Sequence, residues 1–130
     1  MDGTIFATAT ASGKAGVAIV RVSGANALDA VRLMTGIENP RPRQAIFTEI
    51  RALDGTPIDN ALVLYFPCPH SFTGEDVVEF QTHGGRAIAS AMLENLSKIK
   101  GFRPAQRGEF TRRAVENGKM DLTAAEGLAD

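Results

Sequence analysis

Apolar and polar residues alternate through much of the first half of the chain. From Thr4 to Thr10 apolar positions trade places with small polar ones, which predicts a strand, and Val17 to Ser23 repeats the pattern more strongly. Between them lies the small-residue loop Ala11-Ser12-Gly13-Lys14-Ala15-Gly16. Arg21 shares a face with Val17 and Ile19, so a charge interrupts an apolar stripe and has to find water, a carboxylate or an anion. A strand-end arginine reaching solvent along its aliphatic stem is the plainer alternative. Ser23-Gly24-Ala25-Asn26 supplies capping residues, and Leu28, Val31 and Met34 follow at helical spacing before Gly36, predicting a helix through Met34.

Asn39-Pro40-Arg41-Pro42-Arg43 is incompatible with a helix and predicts a stiff, solvated connector, although its arginines suit phosphate as well. Ala45 to Ala52 and Asn60 to Phe66 have strand composition and flank the turn signal Asp54-Gly55, which predicts a hairpin whose second strand is central. Pro67-Cys68-Pro69 stops that strand. Beyond Gly85, the residues Ile88, Met92, Leu93, Leu96 and Ile99 recur with helical period as far as Gly101. A shorter helix is expected from about Gly108 to Glu116, with Phe110 and Val115 inward and Asn117-Gly118 closing it. Asp121-Leu122-Thr123 has the character of a cap for another helix, cut short at Asp130, so the chain is expected to be a fragment of a longer one.

The stretch SFTGEDVVEFQTHGG, residues 71–85, concentrates the chemistry. Turn residues lead to Glu75 and Asp76 at the mouth of a strand in which Glu79, Gln81 and His83 share a face with Val77, while Val78, Phe80 and Thr82 point the other way. Gly84-Gly85 then permits a sharp turn, or close approach of a ligand, ahead of a helix N-terminus. Carboxylate, amide and imidazole are therefore expected to converge on a small area. Glu79 beside Gln81 has the chemistry to accept parallel hydrogen bonds from an amino-pyrimidine edge; a solvated carboxylate on the wet face of a sheet is the competing reading.

Composition narrows the function. The 130 residues, 44% hydrophobic, suffice for one core, and a net charge of -1 gives no global attraction to nucleic acid. Only a local basic excess from Lys98 to Lys119 qualifies: Lys98, Lys100, Arg103, Arg107, Arg112, Arg113 and Lys119 face only Glu109 and Glu116. That excess suits a carboxylate tail or phosphates, and equally a helix surface dressed for solubility. No apolar run is long enough to cross a bilayer, no signal sequence is evident, and the single Cys68 suits a reducing compartment, so a cytoplasmic protein is expected. Gly13-Lys14 and Gly118-Lys119 lack the remainder of a phosphate loop, which excludes nucleotide hydrolysis by this chain. Cys68, His70 and His83 are its soft metal ligands, but Cys68-x-His70 is not a usual zinc spacing, and no nucleophile elbow is present.

ATASGKAGVAIVRVSG, FPCPHSFTGEDVVEFQTHGG and RGEFTRRAVENGKMDLTAAEGLAD resemble, in order and spacing, the N-terminal portion of the tRNA-modification GTPases called MnmE or TrmE, over essentially the whole chain. The resemblance implies an α+β fold, a mixed sheet with about three helices akin to the folate-binding domains of aminomethyltransferases. It implies a tetrahydrofolate-binding and dimerisation domain over residues 1–118 and the start of a helical domain over 119–130, with the GTPase domain lying elsewhere. By position the family's folate contacts fall on Arg21, Glu79 and Lys119. The cofactor implied is 5-formyl- or 5,10-methylene-tetrahydrofolate, while GTP, magnesium and potassium belong to the missing G-domain. The partners implied are a second copy, the FAD-dependent protein MnmG or GidA, and tRNA, whose wobble uridine is modified at C5. Departures from the family pattern, the Ala11–Gly16 loop and Arg107 before GEF, bear on the pocket rim more than on the ligand. The alternatives are a stand-alone one-carbon transferase with His83 or Glu75 moving protons, and an RNA-binding module using the Lys98–Lys119 excess.

Overall fold

The computed structural model describes residues 3–9 and 16–121. Strands β1 (Thr4–Thr8) and β2 (Val17–Ser23) lead into helix α1 (Ala27–Thr35), and the hairpin β3 (Ile46–Arg51) and β4 (Pro57–Phe66) leads to β5 (Val77–His83). Helix α2 (Arg86–Ser97), strand β6 (Phe102–Pro104) and helix α3 (Glu109–Glu116) follow. The strands form one sheet in the order β3-β4-β5-β2-β1-β6. Every neighbouring pair is antiparallel except β1 with β6, so the described residues form an α+β fold with a mixed sheet and three helices, as expected.

Strand alternation divides the sheet into two unlike faces. On one, Phe6, Val20, Val22, Val63, Val78 and Phe80 pack against Ala27, Ala30, Val31 and Met34 of α1 and Met92 and Leu96 of α2 in a single core. Each fully buried Val, Leu or Phe side chain contributes roughly 1.5–3 kcal/mol, so this layer dominates the hydrophobic stabilisation. The opposite face carries cross-strand rows. Ile5, Ser23, Val77 and Phe66 stand opposite one another in one row, Ala7, Arg21, Glu79 and Leu64 in the next, and Ile19, Gln81, Leu62 and Phe47 in a third.

Differences from the sequence expectations have local causes. Strand β4 begins at Pro57 rather than Asn60, and α2 stops at Ser97 with Lys98 as its cap, so Ile99 keeps the apolar period while serving the turn into β6. Its carbonyl accepts from the Phe102 amide at 3.0 Å. Strand β6 has three residues, too few to show alternation, and its terminal proline suits a sheet edge. Asn26 precedes α1 without a side-chain cap; its own amide instead donates to Thr4 Oγ1 at 3.1 Å. Thr10, most of the Ala11–Gly16 loop and the helix expected after Asp121 lie outside the described residues. Among the described residues no helix is long and apolar enough to cross a membrane.

Candidate functional site

Arg21 and Glu79 are direct partners in the β2–β5 ladder, on the face turned away from the helical core. Arg21 donates from Nε and Nη2 to Glu79 Oε2 at 3.1 and 3.0 Å. The interrupting charge found its carboxylate. Both side chains are partly buried, at 25% and 15% exposure, which places the pair between the surface case, where ion pairs are worth little, and the buried one, where breaking them is costly. Among the described residues Glu79 Oε1 accepts no hydrogen bond, so it retains acceptor capacity. Gln81 lies two residues along the same strand face.

The loop before β5 closes one side of this pair. The Arg21 guanidinium carbon lies 5.2 Å from the centre of the Phe72 ring, within cation–π range. Ser71 donates its hydroxyl to the Glu75 carbonyl and accepts from the Gly74 amide, while Asp76 Oδ1 accepts from the Cys68 amide at 2.9 Å. The turn chemistry of SFTGED thus builds a fixed loop that presents an aromatic ring to the arginine. Phe72 is a neighbour of the candidate pair that pattern reading missed, because a lone aromatic in a turn has no periodic signal.

Lys119 reaches the same loop from the C-terminal side. Its Cγ lies 3.3 Å from where a Cβ on Gly74 would stand, and its backbone amide donates to Ala114 at 2.7 Å. Among the described residues no hydrogen bond or ion pair joins Lys119 to Arg21 or Glu79. The structure therefore brings two of the three expected residues into contact and packs the third against Gly74 of the loop that carries Phe72.

His83 departs from expectation. Four residues along a strand separate it from Glu79 by about 13 Å, and its Nδ1 contacts Asp59 Oδ1 at 3.0 Å. The expected convergence of Glu79 and imidazole on one small area fails because a strand is extended.

The basic excess between Lys98 and Lys119 is also largely committed. Glu109 is buried and receives Arg103 Nη1 on Oε1 at 2.8 Å, Arg103 Nη2 on Oε2 at 2.5 Å, Arg113 Nη2 at 3.1 Å and the Gln106 amide at 2.9 Å. Arg112 adds an ion pair at 3.4 Å. Led by the Arg103 bonds and in spite of burial, Arg103, the Gln106 amide and Arg113 lower the Glu109 pKa to about 2. Arg113 continues to Glu75, 3.0 Å from Oε1 and 3.2 Å from Oε2, and Ser23 donates to Glu75 Oε1 at 2.7 Å. Lys98 pairs with Glu94. The Glu109–Arg113 spacing of i, i+4 is legible in the sequence, whereas the links to Arg103 and Glu75 are tertiary. A cavity of about 410 Å³ opens beside this network, lined in part by Thr4, Asn26, Glu75, Arg113, Glu116 and Asn117.

Comparison with known proteins adds an independent line. Residues 4–119 match the family described as GTP-binding protein TrmE N-terminus. Among similar proteins, the tRNA modification GTPase MnmE of Phenylobacterium zucineum is 55% identical over 130 residues, covering 100% of this chain and 29% of that protein. Proteins of the same name from Dinoroseobacter shibae and Parvibaculum lavamentivorans are 54% and 52% identical, each over 98% of this chain and 29% of their own length. The chain thus spans about three-tenths of the length of these relatives.

Proposed function

The chain belongs to the family of the GTP-binding protein TrmE N-terminus, and on that premise we propose that it is the reduced-folate-binding and dimerising unit of a tRNA modification GTPase. The observation that carries the reading is the Arg21–Glu79 pair, set on the sheet face away from the core, beside Phe72, with one carboxylate oxygen that accepts no hydrogen bond among the described residues. Glu79 accepts from the 2-amino and ring N–H groups of the pterin, which a carboxylate does through charge-assisted bonds worth roughly 1.5–3 kcal/mol each. Arg21 orients the carboxylate and, with Lys119, meets the negative charge of the glutamate tail. The one-carbon form of the cofactor is 5-formyl- or 5,10-methylene-tetrahydrofolate.

In the proposed whole protein, residues 1–118 form this unit and 119–130 open a helical domain. A GTPase domain, a flavin-dependent partner and tRNA complete a cytoplasmic system that modifies wobble uridine at C5. A second copy docks on the open sheet face, where Val17 and Phe47 are 51% and 69% exposed. Competing readings draw less support. Both oxygens of Glu75 are held by Arg113, which leaves it poorly placed to move protons, and the engagement of Arg103, Arg112 and Arg113 with Glu109 thins the surface an RNA would need. Titrating the chain with folinate while following its mass by light scattering tests binding and dimerisation together.

A further inference from the structure

The loop Ser71–Asp76 and the turn after α3 are fastened to each other by contacts that do not touch the Arg21–Glu79 pair. Asn117 Nδ2 donates to the Thr73 carbonyl at 2.7 Å. Thr73 is fully buried, and its hydroxyl lies 2.7 Å from Ser23 Oγ, so the acceptor is anchored to the end of β2. Gly74, next in the loop, has φ of +84°, and a Cβ there would sit 2.8 Å from Asn117 Cβ and 3.3 Å from Lys119 Cγ. The missing side chain lets the turn seat against the loop. On the other side of the turn, the Asn117 amide donates to Arg113 and the Lys119 amide to Ala114, while Arg113 itself grips Glu75.

We infer that Asn117 is a positioning residue: its bond to Thr73, seated over Gly74, sets the stem of Lys119 beside the loop that carries Phe72 to Arg21. This rests on the folate reading for its ligand, but the clasp itself is a property of the chain. Lys119 has a long stem with several rotatable bonds, and an exposed lysine holds an anion poorly unless its origin is fixed. Asn117 supplies that origin, two residues away, without contributing charge. A carbonyl acceptor is specific for the donor amide, so Asn117→Asp, nearly identical in shape, loses the bond and places two acceptors face to face.

The test is a double-mutant cycle on the 130-residue chain with folinate, using Asn117→Ala, Lys119→Ala and the pair, with Asn117→Asp as a second variant should the alanine form fail to fold. The clasp predicts that Asn117→Ala weakens folinate binding about 10-fold and that adding Lys119→Ala then changes little, because the lysine has already lost its place. Additive losses, or unchanged affinity in Asn117→Ala, overturn the inference. A purely structural role for Asn117 would weaken folding without producing that coupling. Amide hydrogen exchange at Lys119 separates the two readings: if the wild-type chain does not bind folinate, the folate reading fails, and the clasp then stands or falls on whether exchange at Lys119 accelerates at least 10-fold in Asn117→Ala.

Discussion

Arg21 stands directly opposite Glu79 on neighbouring antiparallel strands and directs two donors at a single oxygen of its carboxylate. Removing one partner leaves the other charge half-buried without compensation, whereas removing both leaves an apolar-flanked row of Ala7 and Leu64. Arg21→Met is therefore expected to destabilise the chain by about 1–2 kcal/mol, and Arg21→Met with Glu79→Leu by less. Chemical denaturation of the two variants measures this; a double variant less stable than Arg21→Met alone would contradict it.

Glu109 is the principal electrostatic anchor of α3. Glu109→Gln keeps the shape but leaves Arg103 and Arg113 facing a neutral amide, and a loss of roughly 3–5 kcal/mol is expected. Thermal unfolding at neutral pH measures it.

The same carboxylate sets an acid dependence. Its pKa in the folded chain is about 2 against an ordinary 4.5, so the unfolded state binds its proton first as pH falls. The stabilisation is complete above pH 4.5 and is lost as pH falls towards 2, amounting to roughly 3 kcal/mol. The difference in stability between wild type and Glu109→Gln should shrink across that window; a constant difference would count against it.

Gly24 is required by both conformation and space. Its φ is +146°, and a Cβ would meet Thr4 Oγ1 at 2.6 Å and Thr4 Cα at 2.7 Å. Backbone cannot move aside cheaply, so Gly24→Ala is expected to cost about 3 kcal/mol and lower the melting temperature by roughly 10 °C.

Phe47 tests the proposed face for a second copy. Phe47→Asp places a charge on an exposed apolar position of the edge strand β3 without touching the core, so monomer stability should change by less than about 0.5 kcal/mol. Light scattering should show a shift from dimer to monomer; an unchanged mass would place that contact elsewhere.

Much of this was legible in residue patterns. Alternation in Val17–Ser23 gave β2 with its observed limits, and the placing of Arg21 and Glu79 on polar-interrupted faces follows from a period of two. What local patterns could not carry was pairing. Nothing in either strand alone says that residues 58 positions apart stand opposite each other, since register is fixed by the assembled sheet. For the same reason the arginines after Lys98 read as a basic surface. Glu109 and Glu75 neutralise them from within, and only the fold reveals that Arg113 reaches back 38 residues.

The most direct measurement is calorimetric titration of folinate into the wild-type chain and into Glu79→Ala, with the melting temperature of each recorded alongside. Saturable binding by the wild type and an affinity about 10- to 100-fold weaker in a folded Glu79→Ala is the expected result. Equal affinities, or no binding by a folded wild-type chain, would contradict the assignment of the Arg21–Glu79 pair as a pterin site.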